Sequence, residues 1–317
     1  MDVVMYEADM GDPDDEGGPA FISVLPHAGG TALLASSTRY FFVWDVVSRE
    51  NVYFEELTLD YLSDECPCPL VLSDEGHFWA SRGRFEFALW SLKTFKPVRT
   101  FERHRDYVNA VQPLPGGLVL SASGDCTLRL WDVQTAECLQ EVSAGSPRRI
   151  ALCPSGRRVA IAGASGIELF DLPSLSPIAH HRLQYQDTPL NTVGSRRSRR
   201  EAADTVVFRS HGTELLCAGH DGIVRSMEPE TGRVHKQWVA HGDSVNDLVL
   251  LRDGSGFVTG GEDGDVRFWR FDREECAGSL TLGGQVNGLA LGPSGQIFAA
   301  CQDGIVYGIT PPALETP

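Results

Sequence analysis

A unit of about forty residues recurs along this chain, and that recurrence constrains the fold more than any single residue does. The stretch "SGDCTLRLWD", residues 123–132, returns as "GGEDGDVRFWR" at 260–270, "AGHDGIVRSME" at 218–228 and "ACQDGIVYGIT" at 300–310. Each copy reads as a tight turn on Asp or Gly followed by alternating apolar and polar residues, the pattern of a half-buried β-strand. Weaker copies end at Trp44 ("RYFFVWD"), Trp90 ("FEFALWS") and Phe170 ("GIELFD"). The end positions 44, 90, 131, 170, 227, 269 and 309 are separated by 46, 41, 39, 57, 42 and 40 residues. Seven units at this period mark a repeat architecture in which each unit is one supersecondary element.

Composition agrees with a turn-rich all-β chain. Of 317 residues, 33 are Gly and 18 Pro, and only 22% are charged, which suits strands and turns better than a helical bundle or an unfolded segment. The 43 acidic residues against 27 basic ones give a formal charge of −16. Binding to a phosphate backbone or an anionic membrane is therefore disfavoured overall, and basic partners are favoured. No apolar run approaches the roughly 20 residues of a membrane helix. The eight cysteines are scattered and no charged-then-apolar segment opens the chain, a pattern expected of a reducing nuclear or cytoplasmic compartment. Cys66 and Cys68 form the one close pair, but no second pair stands at zinc-site spacing, so neither a metal nor a cofactor is expected.

Two units carry a second, finer pattern. In one, His104 precedes "RDYVNAV", Ser121 lies ten residues before Trp131, and Asp125 six before it. The other repeats the arrangement with His241, Thr259, Asp263 and Trp269. These residues and the period resemble the WD-repeat family over nearly the whole chain. That resemblance implies a single all-β domain over residues 1–317, a seven-bladed WD-repeat β-propeller in which each tetrad ties the strands of one blade together. Ser, His and Asp also match the types of a hydrolase triad, but recurrence in two units, one of them with Thr, favours the structural role. Phe170, Met227 and Ile309 replace Trp elsewhere, and the turns "SSTRY" and "SRGRF" lack the Asp, so those blades are expected to rely on packing alone.

Ring closure is legible as well. After Ile309 the chain reads "TPPALETP", and two prolines cannot donate to a strand ladder. Residues 2–6 are therefore expected to supply the outer strand of the last blade and close the ring, with 7–20 as an acidic loop. The 57-residue step places an Arg-rich insertion loop at 186–204. There Arg196, Arg197, Arg199 and Arg200 surround Ser198, which reads as a regulatory phosphorylation site, a localisation signal or an RNA contact, or else as a solvated loop.

In a propeller the loops leading into the blades and the turns between middle strands gather on one face. Those positions supply Arg39, Arg82, Arg84, Arg105, Tyr107, Arg148 and Arg149. Read together they are a candidate receiver for an acidic or phosphorylated partner segment; read singly they are solvated charges. Finally, "ALWSLKTFKPVRTFERHRDYV", "GIELFDLPSLSP" and "LQYQDT" resemble the WD-repeat subunit shared by the COMPASS histone methyltransferase and the nuclear phosphatase and cleavage/polyadenylation complexes. That resemblance implies a nuclear, non-catalytic adaptor in a chromatin-modifying or transcription-linked complex. The alternatives are a cullin ubiquitin ligase receptor, whose Trp-Asp-x-Arg ending is absent at Trp131 and Trp44, an RNA-processing scaffold, and a propeller hydrolase or lyase.

Overall fold

The structure is a computed structural model that describes residues 1–7, 20–26, 32–37, 40–56, 70–74, 76–81, 85–183 and 202–312. Its strands form seven four-stranded antiparallel sheets, the blades of a β-propeller. Blades one to six comprise residues 21–56, 71–102, 108–143, 147–181, 205–239 and 245–281. The seventh takes Val286–Leu291, Ile297–Cys301 and Ile305–Ile309 from the end of the chain, and its outermost strand, Val3–Glu7, from the beginning.

That closing strand pairs Val3 with Ile309 and Tyr6 with Val306. It spans 3–7 rather than 2–6, although the carbonyl of Asp2 still accepts from Thr310 N at 3.0 Å. Alternation explains its choice of face: Tyr6 is buried, while Val3 and Met5 are exposed. Tyr6 meets the rings of Trp44 and Phe298 at centroid distances of 6.4 and 6.3 Å, and Trp44 Nε1 donates to Glu7 O at 3.1 Å. One short strand thus joins the last blade to the first. The remainder of the expected acidic loop, 8–19, lies outside the described residues.

The apolar core is seven layers between neighbouring blades rather than one centre. Phe21, Phe42 and Trp44 pack on Phe298 between blades one and seven, and Phe41 packs on Phe78 and Trp90 between one and two. Trp79, Phe87 and Phe101 pack on Trp131 between two and three. Smaller residues fill the layer between blades four and five, where Ala160, Ala162 and Leu169 meet Val206, Cys217 and Met227. Each strand can bury both faces in this way, so the middle strands carry near-continuous apolar runs.

The innermost strands of blades one, three, four, six and seven each carry a β-bulge two residues in. A bulge re-aims one side chain, and here it turns that side chain toward the next blade. Asn109 Nδ2 donates to Pro147 O at 2.8 Å, Asn246 Nδ2 to Val286 O at 3.0 Å, and Asn287 Nδ2 to Phe21 O at 2.8 Å. Arg148 holds the same position in blade four and pairs with Asp204 at the start of blade five. These clasps run around the ring at one level.

Candidate interaction surface

We call the upper face the end that bears the loops leading into the innermost strands and the turns between second and third strands. The His and Asp of each tetrad enter from it. In blade three, Trp131 Nε1 donates to Ser121 Oγ at 2.8 Å, and Ser121 Oγ lies 2.7 Å from His104 Nε2. His104 Nδ1 stands 2.9 Å from Asp125 Oδ2. Burial pushes the His104 imidazole below its ordinary value despite the raising effect of Asp125. Burial alone would raise Asp125, but hydrogen bonds from Thr127 Oγ1, Arg105 N and His104 hold its carboxyl at about 2. With His104 neutral and Asp125 ionised, the chain of donation runs one way, from indole to hydroxyl to imidazole to carboxylate.

Blade six repeats the geometry. His241 lies 2.8 Å from both Asp263 Oδ1 and Thr259 Oγ1, and Trp269 Nε1 donates to Thr259 at 3.0 Å. Gly261 is required beside it, because a Cβ there would stand 2.3 Å from His241 Nδ1. Ser121 and Thr259 are wholly buried, and each hydroxyl already takes an indole N–H. No substrate reaches either oxygen, so the triad-like set is not a nucleophile–base pair.

An arginine that composition alone does not single out completes these networks. Arg129 donates to Arg103 O at 2.7 Å and pairs with Asp125 and Glu141; Arg267 donates to Ala240 O and pairs with Asp263 and Asp265. Blade five keeps only this part, as a buried Asp221–Arg225 pair. The signal is present in the sequence as Asp-x-x-x-Arg at a constant offset in three units.

The expectation that the remaining blades hold by packing alone is corrected for three of them. Besides Asp221–Arg225, blade five sets Cys217 Sγ 3.4 Å from Met227 Sδ where the tetrad has Ser and Trp. In blade four, Glu168 accepts from Gly145 N and Ser165 Oγ, both at 2.7 Å. In blade seven, Tyr307 Oη donates to Asp303 at 2.7 Å. Blade two fits the expectation better: the indole N–H groups of Trp79 and Trp90 are buried without a partner among the described residues.

The predicted rim residues separate into distinct roles. Arg105 is exposed, and its backbone N–H donates to Asp125 Oδ2 at 2.9 Å, which fixes where its side chain leaves the surface. Tyr107 beside it is half-buried. Arg148 is not an unpaired rim cation, because it is engaged with Asp204 and lies 3.4 Å from His220 Nε2. Arg149 turns into the central channel instead of the rim. Arg39, Arg82 and Arg84 lie outside the described residues, as do Cys66, Cys68, Ser198, Arg196, Arg197, Arg199 and Arg200. The far end of the predicted insertion, Ala202 and Ala203, is buried, and Ala203 N donates to Gly163 O at 2.9 Å. Among the described residues no group of three or more His, Cys, Asp or Glu could hold a metal ion.

The WD domain, G-beta repeat family matches residues 95–132 and 232–270, two segments that each end one residue past a tetrad tryptophan. The chain is a seven-bladed β-propeller that carries WD repeats in these two segments. Its sequence is similar to apoptotic protease-activating factor 1 of Danio rerio, with 22% identity over 254 residues covering 78% of this chain and 18% of that protein. It is also similar to nuclear distribution protein nudF of Aspergillus niger, at 28% identity over 57% of this chain and 39% of nudF. Eukaryotic translation initiation factor 3 subunit I of Scheffersomyces stipitis matches at 25% identity over 56% of this chain and 54% of the factor. The WD-repeat propeller thus spans about half or less of the length of these relatives.

Proposed function

We propose that this propeller is a non-catalytic scaffold whose upper face captures a segment of a partner protein, an acidic or phosphorylated one. The observation that carries the reading is the division of polar groups on that face. The Ser, His and Asp side chains that resemble catalytic equipment are buried and spent on one another, whereas Arg105 projects from the same loop into solvent. On a chain of charge −16, an exposed guanidinium held in place by its own backbone selects where an anion lands, with a fork of donors matched to carboxylate or phosphate. The assembly proposed is nuclear, a chromatin-modifying or transcription-linked complex. That part rests on the resemblance of residues 88–108, 166–177 and 183–188 to the shared methyltransferase and phosphatase subunit.

The test is affinity capture from nuclear extract by the wild-type chain and by an Arg105→Glu, Tyr107→Ala variant of unchanged melting temperature. Recovery of methyltransferase or phosphatase subunits by wild type, lost in the variant and weakened by salt, is the expected result. Equal capture by both proteins overturns the role of this face. Recovery of ubiquitin ligase subunits instead overturns the assembly.

A further inference from the structure

The central channel carries a charged group that no partner engages among the described residues. Counting past the bulges, Ser23, Ala110, Arg149, Asp247 and Gly288 occupy equivalent places on the innermost strands of blades one, three, four, six and seven. Thr205 takes the same place in blade five, opposite Ala218. The first five of these residues line a cavity of about 180 Å³, together with Gln112 and Val71 among others. The wall is thin at blades three and seven, where Ala110 and Gly288 contribute almost no side chain. Gly288 cannot easily grow, since a Cβ there would stand 2.6 Å from Ile22 O.

Two charges face this space and their situations differ. Asp247 is fully engaged: Oδ1 accepts from Leu248 N at 2.9 Å and Thr205 Oγ1 at 3.3 Å, and Oδ2 from Leu289 N at 2.9 Å. Its carboxylate ties blades five, six and seven together. The neighbouring amides are also spent, Asn109 on Pro147 O and Gln112 on Pro113 O. Arg149, half-buried in the same ring, makes no ion pair or hydrogen bond through its side chain among the described residues. A guanidinium offers five donors in a planar fork and holds its charge at any physiological pH. In a narrow channel that fork is, among the described residues, a cationic group placed to receive an oxyanion.

We propose that the channel receives one oxyanion-bearing side chain of the partner segment, a carboxylate or a phosphate, on the Arg149 guanidinium. This rests on the reading of the upper face as a docking surface and names the group it anchors. Size supports a single side chain over a small-molecule ligand. The cavity corresponds to about six waters at roughly 30 Å³ each, below the roughly 300–1,000 Å³ of small-molecule pockets. An oxyanion entering it displaces that water and gains a bidentate, charge-assisted contact in a partly desolvated setting.

The experiment follows the Arg149 Nε–Hε resonance of the full chain by NMR, assigned by its loss in Arg149→Met. Acetate, inorganic phosphate and short Gly/Ser peptides bearing a single Glu, phosphoserine or Gln serve as probes. The oxyanion probes are expected to shift that resonance, and the Glu or phosphoserine peptide to bind about tenfold or more tightly than the Gln peptide. That preference is expected to vanish in Arg149→Met, to fall in Arg149→Lys, and to persist in Arg105→Glu. Whichever of the two acidic peptides binds more tightly names the source of the oxyanion. An Arg149 resonance unmoved by every oxyanion, or a preference retained in Arg149→Met, overturns the proposal. If Arg149→Met also keeps every partner that Arg105→Glu, Tyr107→Ala loses, the channel site falls and the docking face stands.

Discussion

Ser121→Ala removes one oxygen and strands two buried groups. The Ser121 hydroxyl takes the indole N–H of Trp131 at 2.8 Å and reaches His104 Nε2 at 2.7 Å, and both rings are almost fully buried. Leaving a buried donor or acceptor unpaired costs about 1–3 kcal/mol, so with two groups stranded the single variant is expected to lose about 2–6 kcal/mol. With roughly 2.1 cal/mol/K of unfolding entropy per residue, a chain of 317 residues changes its midpoint by about 1.5 °C per kcal/mol. The expected drop is therefore about 3–9 °C. Blade four supplies the control within the same molecule, since Ile161 and Phe170 stand where blade three has Ser121 and Trp131. Adding Trp131→Phe to Ser121→Ala removes the stranded indole N–H, so the double variant is expected to lose less than the sum of the single losses. Melting followed by far-UV circular dichroism, which does not depend on the altered tryptophan, measures the cycle. A Ser121→Ala midpoint within a degree of wild type, or strictly additive losses, would refute the view that the hydroxyl joins the two rings.

Removing residues 1–7 uncovers the outer edge of blade seven and deletes the Glu7 carbonyl that Trp44 uses. Sedimentation is expected to show self-association and melting a lower midpoint; a monomer with native melting would count against the closure. Arg225→Met leaves the buried Asp221 carboxylate unpaired and is expected to cost about 3–5 kcal/mol, most of it recovered by adding Asp221→Asn; a double variant as unstable as the single one, by urea unfolding, opposes this. Because the folded-state pKa of His104 is depressed, the unfolded chain takes up that proton first, and stability falls as pH drops below about 6.5. Asp125, held at about 2, and Asp263, held below its ordinary value despite burial, contribute stability that is present above about pH 4 and lost toward pH 2. Urea midpoints at pH 7, 5 and 3 are expected to fall at each step, and a flat response from 7 to 5 contradicts the buried neutral imidazole.

The ring, its seven units and its closure are legible because each is a periodic or local property. The turn at Gly124–Asp125, the alternation toward Trp131, and the prolines after Thr310 need no knowledge of distant residues. The Asp-x-x-x-Arg offset is equally local, yet it reads as surface charge until the backbone shows Arg129 reaching Arg103 O. What the sequence hides is the far partner. Arg148 and Asp204 stand 56 positions apart on either side of the insertion, so no window contains both. Arg149, its neighbour, looks identical in sequence and differs only because the bulge sends the two side chains to different places. The substitutes in blades four and five are hidden for another reason: Glu168 and the Cys217–Met227 contact satisfy the same need with unrelated residue types, and a pattern built on Trp and His passes over them.

That contrast bears on which arginines are available to a partner. Arg129, Arg225 and Arg267 are held by the aspartate four residues before each, Arg148 by Asp204, Arg158 by Glu230 and Arg209 by Glu214. A chain with 43 acidic residues neutralises these six internally, and three of the six pairs sit in the recurring blade network. Mutating any of these removes a structural contact first, so a loss of partner binding in such variants would report on blade stability rather than on recognition. Arg105 and Arg149 differ in that their guanidinium groups take no part in the tetrads or the bulge-level clasps, although each backbone is fixed beside one. Charge reversal at these two positions therefore changes the local potential while leaving the ties between strands intact, so variants there test the proposed recognition separately from folding.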